Sequence, residues 1–188
     1  MVRPKTLTDE QVLDTALDLV HKHGVSGLTF SALGSHCGLS AATLVQRFTN
    51  KATLTQRTLL HAWDELEALT RKLASSTPLT PHGAVDLLIG LSGDYGGIDA
   101  YGDGLLLLRE DVRDPVLRAR GVTWESNLTA ALESRFASIP NAPSGIGYAM
   151  AAYWQGSLTW WAFRADQSLH DYLVDKLTAF IDMLGVSN

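Results

Sequence analysis

Between Ala41 and Lys51 the chain sets three small residues, Ala41, Ala42 and Thr43, ahead of Gln46, Arg47 and Lys51. Gln and Arg can each form two hydrogen bonds to one base edge, and Lys offers a compact charge to a phosphate. On a helix this order suits a DNA groove. Small side chains at the N-terminal end let the backbone come close, and the long ones a turn later can read base edges. Helix starts at Thr29, Ser40 and Asn50 would add backbone donors of the kind that bind phosphate. Lys51, in the first turn of its own helix, opposes that helix's dipole, and a nearby phosphate would account for it. Thr29, Ser31, Ser40, Ala41, Ala42, Thr43, Gln46, Arg47 and Lys51 are therefore the candidate DNA-binding residues.

Other reactive side chains make weaker patterns. His61, Asp64 and Glu65 share one helix, with His61 and Glu65 at a spacing compatible with metal ligation, but no second ligand cluster accompanies them in the sequence. They read as an exposed polar face, and no metal or cofactor is expected. His21 and His23 point different ways on a helix. Cys37 stands where an apolar turn residue is wanted. The glycines around Tyr95 follow no strand and make no phosphate loop. With no catalytic constellation, an enzyme is not expected.

The elements that must position the first group are all helical. Thr8 with Gln11 forms a capping box before Val12, Leu13, Ala16, Leu17 and Val20, and Gly24 closes a first helix from about Asp9 to His23. Thr29 caps a second helix to about His36, Gly38 makes the turn, and Ser40 caps a third through Phe48. Leu33, Cys37, Leu39, Leu44 and Phe48 should face inward, with Gly34 small where the two helices meet. Asn50 caps a fourth helix that meets no breaker until about Ala74 and should link the first three rigidly to the later ones. Thr80-Pro81 opens the next. The glycine-rich "SGDYGGIDAYGDG" should separate it from "LLLLREDV". Asp114-Pro115, Ser144 and Ser168 with Asp171 start the last three, ending near Ala137, Arg164 and Gly185. The expected fold is all-α, about nine helices.

Composition agrees with that fold and narrows the function. Hydrophobic residues make up 46% of 188, enough for a real core, and no apolar run approaches the roughly 18 residues of a membrane span. No apolar run comes after the basic N-terminus, so no secretory signal is expected; the single cysteine fits a reducing cytoplasm. Net charge is −5, yet residues 1–58 carry +2 and the remainder −7, the asymmetry of a basic module on an acidic body.

Thr8 to Leu60, with "TALDLVHKHGVSGLTFSALGSHCGLSAATLVQRFTNKATL", resembles the TetR-type transcriptional regulators in helix order, in the "G-x-x-x-x-T" entry, and at Gly38, Leu44, Phe48 and Lys51. It departs from them at Val45, where the family usually has an aromatic, commonly tyrosine, whose hydroxyl meets a phosphate. Downstream the likeness is confined to helix count and features such as "RDPVL". The resemblance implies an N-terminal three-helix helix-turn-helix DNA-binding domain, residues 1–52, and a helical ligand-binding and dimerisation domain, residues 53–188. It implies a cytoplasmic homodimer, made through the last two helices, that binds double-stranded DNA at an inverted-repeat operator. Repression would be released by a small, largely apolar effector that moves the fourth helix as a lever. Tyr148 to Phe163, apolar on nearly every face, and the stripe Leu169, Leu173, Leu177, Phe180 and Leu184 would suit the dimer interface, with Gly156 allowing close approach. Aromatic residues abound in the acidic body, and Trp63, Trp124, Asn127, Tyr148 and Gln155 are the candidate ligand-binding residues. The alternatives are a helix-turn-helix protein acting mainly through a protein partner, a reading that Val45 leaves open, and, less in keeping with the residues, an all-helical enzyme.

Overall fold

A computed structural model describes residues 7–93, 97–164 and 166–186; Tyr95 lies outside them. Among the described residues there is no strand, and nine α-helices succeed one another. They are α1 (Asp9–Gly27), α2 (Phe30–Cys37), α3 (Ala41–Phe48), α4 (Lys51–Ser76), α5 (Pro81–Ser92), α6 (Ile98–Arg113), α7 (Pro115–Glu133), α8 (Ile146–Arg164) and α9 (Leu169–Met183), with a 3-10 turn at Ser134–Phe136. None is long and apolar enough to cross a membrane.

The expected caps form. Thr8 and Gln11 exchange hydrogen bonds at 3.2 and 3.1 Å. Thr29, Ser40, Asn50, Thr80 and Ser168 each accept from the amide three residues on. Each such bond satisfies an otherwise orphaned donor, worth about 1 kcal/mol. Asp114 holds the start of α7 by accepting from Val116 at 2.8 Å. Gly24 (φ 67°, ψ 174°) interrupts α1, and one more turn continues to Gly27.

One boundary differs from expectation. Residues 98–104 do not separate two helices; α6 begins at Ile98 and runs through Gly102 and Gly104. The anchor is Tyr101, which is buried, reaches Thr159 Oγ1 at 2.8 Å and meets the Trp161 ring edge-on. That tertiary burial outweighs the helix cost of two glycines, about 1 kcal/mol each.

The chain divides into two compact units. One holds the residues up to Glu65 together with Gly102–Gly121. Its core joins Val12, Leu13, Ala16, Leu19 and Val20 of α1 to Leu33, Leu44, Phe48 and Leu54. The Arg57 guanidinium covers the Phe48 ring at 4.8 Å, and Arg57 also pairs with Asp9 at 3.1 Å.

The other unit holds Leu66–Tyr101 and the residues from Val122 on. In its core Leu87, Leu88 and Leu91 of α5 meet Met150, Trp154 and Leu158 of α8 and Leu173, Leu177 and Ile181 of α9. Trp154 donates to Ser92 Oγ at 2.8 Å, so the buried indole is not left unpaired. α8 crosses α7 at Gly147, where an added Cβ would collide with the Thr129 carbonyl oxygen. The Glu133 carboxylate then caps α8 by accepting from the amides of Gly145 and Gly147. Arg135 is fully buried: it donates to the carbonyls of Ala131 and Ala74 and to Thr77, and burial lowers its pKa.

Candidate nucleic-acid interface

The α2–α3 pair is closed by glycine chemistry. Gly34 is buried, and a Cβ there would stand 2.6 Å from the Leu39 carbonyl oxygen, so only glycine lets the two helices meet this closely. Gly38 takes the left-handed conformation (φ 66°, ψ 28°) and donates its amide to Gly34. Leu33, Leu44 and Phe48 are buried beneath the turn, while Cys37 and Leu39 are half-buried. The inward set expected from the sequence is therefore the inward set of the fold.

On α3 the residues facing out are Ala41, Ala42, Val45 and Gln46, with Thr43 half-buried. The Thr43 hydroxyl lies 2.8 Å from Ser40 Oγ, and Ser40 also accepts the Thr43 amide. Thr29 and Ser31 are exposed at the start of α2. Thr29 and Ser40 occupy the third amide of their helices, and the earlier amides have no intrahelical acceptor. In the sequence Val45 stands out only as a missing aromatic. The structure makes it, 43% exposed, part of the outer face, apolar and suited to a thymine methyl. Its place one turn after Ala41 was the available signal.

Two predicted contacts are used inside the unit. Arg47 donates from Nη1 to the Leu7 carbonyl at 2.8 Å and lies 3.6 Å from Asp9, so it ties α3 to the entry of α1. Lys51 donates from Nζ to the Ser26 carbonyl at 3.1 Å. This gives a second physical reason for a cation at the start of α4. Lys51 sits at the negative end of α1, whose own last turn has no basic residue. Lys51 remains exposed and keeps two further ammonium donors. Between these two residues, Thr49 (φ 65°, ψ −61°) is the centre of a γ-turn closed by Asn50 N–H to Phe48 C=O at 2.7 Å.

Four of the five ligand-binding candidates lie in the second unit, and three of these share a cavity. Trp124, Tyr148 and Gln155 come together at a shallow cavity of about 160 Å³ with Leu128, Ala151 and Trp154. Tyr148 is 62% exposed, and Asn127 is exposed and does not line this cavity. Trp63, in the other unit, donates its indole N–H to Asp111 at 3.0 Å. Burial raises the Asp111 pKa, opposed by the Trp63 bond and reinforced by Asp114 and Glu110. A cavity of about 440 Å³ lies nearby, lined by Lys51, Thr55, Gln56, Leu59, Glu110, Asp114 and Leu117 among others, and sequence reasoning did not find it. Gln56 donates to Asp114 at 2.8 Å, and that bond lowers the Asp114 pKa. The cavity joins residues more than fifty positions apart, which no local pattern reveals.

The stripe expected for dimerisation on α9 is largely internal: Leu169, Leu173, Leu177 and Phe180 are buried within the chain, and Leu184 is half-buried. The large apolar groups left outside on α8 and α9 are Tyr148, Trp160, Phe163, Val174 and Met183. Among the described residues outside its own helix backbone, nothing lies within 4 Å of a Cβ built at Gly156.

Residues 12–58 match the family model described as bacterial regulatory proteins, tetR family. No curated protein sequence matches the chain. Among solved structures, it is similar to the TetR family transcriptional regulator PfmR from Thermus thermophilus (20% identity, 93% and 96% of the two chains, TM-score 0.58). It is also similar to a transcriptional regulator from Rhodococcus sp. Rha1 (16%, 94% and 96%, TM-score 0.72). A third is a candidate transcriptional regulator from Saccharomonospora viridis in complex with choline (16%, 91% and 93%, TM-score 0.71).

Proposed function

We propose that the chain, whose residues 12–58 match the model of the tetR family of bacterial regulatory proteins, represses transcription as an operator-bound homodimer released by a small effector. The observation that carries this is the glycine-closed α2–α3 turn presenting Ala41, Ala42, Val45 and Gln46 outward. In this reading α3 enters the major groove, Gln46 reads a base edge, and Ala41, Ala42 and Val45 pack against bases. Thr29, Ser31, Ser40 and Thr43 lie at the helix starts that meet phosphates, and Lys51 adds charge there. Arg47 positions α3 through Leu7 and Asp9, and its remaining guanidinium donors are available to the DNA.

Residues 1–52 supply the DNA contacts and the chain beyond them the dimer surface and most of the effector cavity, in the cytoplasm. Two protomers pair through the outer faces of α8 and α9, where Trp160, Phe163 and Met183 are exposed. This assigns Tyr148 and Gln155 to the dimer surface. The effector occupies the 440 Å³ cavity, whose size falls in the usual range for ligand sites. Its apolar wall, Ala52, Leu59 and Leu117, suits a largely apolar molecule, and Lys51, Gln56, Glu110 and Asp114 are the polar groups that could orient it.

Selection of genomic fragments by the purified protein tests the reading. We expect enrichment of a short inverted repeat, whose symmetry itself reports the dimer. Gln46→Ala should relax the preference at one position per half-site, a change of about 1–3 kcal/mol in discrimination. Lys51→Ala should weaken binding to all sequences and lower the salt slope. Absence of any enriched fragment at low salt would overturn it in favour of a protein partner.

A further inference from the structure

The seam between α1 and α4 is balanced at one end and over-supplied with carboxylates at the other. At the first end Asp9 meets Arg57 at 3.1 Å and Arg47 at 3.6 Å. Towards the other, the cation position is taken by His61, whose Nε2 lies 2.6 Å from Asp14 Oδ1 and 3.6 Å from Glu65 Oε1. Asp14 is the ligand that the sequence could not add to the His61–Glu65 pair, because it stands 47 positions away in the chain. One imidazole nitrogen carries one proton at most, so it can serve only one of the two oxygens converging on it. The other is left without a donor from this ring.

We propose that Asp14, His61 and Glu65 form a binding site for a divalent transition-metal ion of the zinc type. The three donor atoms lie within 4.8 Å of one another. Around zinc, with ligand bonds of about 2.0–2.2 Å, neighbouring donors stand about 3.4 Å apart, so the set has to adjust by roughly an ångström. The two carboxylates can make that adjustment, being about half exposed, while the His61 ring is 12% exposed and fixed. An ion would satisfy both oxygens and the imidazole at once. Water would complete its shell on the solvent side. The nitrogen donor favours zinc and its neighbours over magnesium or calcium, which take oxygen shells. Because the ligands come from two helices, the ion would clasp α1 to α4 and stabilise the folded unit by mass action.

The test is titration of the full chain with zinc ion alone, without DNA, read by calorimetry and by thermal unfolding. Wild type should bind one equivalent that is lost in His61→Gln, and Asp14→Asn and Glu65→Gln should each weaken it at least tenfold. Zinc should raise the unfolding temperature of wild type and leave that of His61→Gln unchanged; magnesium should raise neither. Five other histidines offer adventitious sites, so the difference between wild type and variants is the readout. Equal stoichiometry and affinity in wild type and His61→Gln would overturn the proposal, as would failure of wild type to bind. Should His61→Gln unfold, the same comparison on Glu65→Gln decides, since that side chain is 57% exposed.

Discussion

Gly34→Ala isolates the contact on which the helix-turn-helix geometry depends. The added Cβ would lie 2.6 Å from the Leu39 carbonyl oxygen, and ordinary contact begins at 3.4 Å. The turn must therefore open by about 0.8 Å, and its far side is backbone, which cannot swing away as a side-chain tip would. Opening strains two bonds to the Gly34 carbonyl, from the amides of Gly38 and of Leu39, the latter 3.0 Å long. Overpacking of this kind costs about 1–3 kcal/mol, and a weakened bond costs about 1 kcal/mol. Against this, alanine is the better helix residue by about 0.5–1 kcal/mol. The balance is a loss of roughly 2 kcal/mol, which for a chain of this length lowers the melting temperature by about 4–8 °C. Circular dichroism during heating and in urea measures it. Operator affinity should fall further than stability does, because α3 is displaced relative to the helices that anchor it. A Gly34→Ala protein as stable as wild type would show that the turn is not closed as described.

The glycines of α6 behave oppositely. Among the described residues nothing lies within 4 Å of a Cβ built at Gly102 or Gly104, so the double change to alanine should add about 1–2 kcal/mol in urea unfolding, from helix propensity alone. A loss would mean that residues 98–104 are not helical. Asp111→Asn keeps an oxygen acceptor for Trp63 and removes a charge that burial disfavours. Because the native pKa is raised, the wild-type carboxyl destabilises the fold as pH climbs through that raised value, and its penalty is absent below the unfolded value of about 3.9. Melting temperatures of the two proteins should accordingly separate, with the variant higher, between acid and neutral pH. A gap that is constant across that range would remove ionisation as its cause.

What the sequence makes legible here is local. A capping residue and the amide it serves are three positions apart, so Thr8, Thr29, Ser40, Asn50, Thr80 and Ser168 announce their helices directly. Gly34 and Gly38 announce the turn for the same reason. Side-chain roles across the chain are not announced. Arg47 finds Leu7 forty residues back, Lys51 finds Ser26, and Asp14 comes to His61. A cation on a predicted outer face looks free until its tertiary partner is known. Glycines around Tyr101 look like a break until that ring is seen buried, and the cavity beside Gln56 needs Asp114 from the other end of the unit. The outward residues of α3 were thus half legible: their exposure follows from the helix period, whereas the bonds of Arg47 to Leu7 and Asp9 do not.

The first unit is made of two separate stretches, one ending at Glu65 and one spanning Gly102–Gly121. Leu107 packs on its hydrophobic cluster, Asp111 receives Trp63, Asp114 receives Gln56, and Arg120 pairs with Asp64. On the ribosome, the helices that would grip DNA are therefore synthesised early and completed late. At the usual elongation rate of about 5–20 residues per second, seconds pass between the emergence of Trp63 and that of its partner. Through that interval α4 exists without part of its packing, and a chain stalled there would present an unfinished binding unit to chaperones or proteases. A unit arranged this way is complete only once the stretch up to Gly121 has joined the one that ends at Glu65.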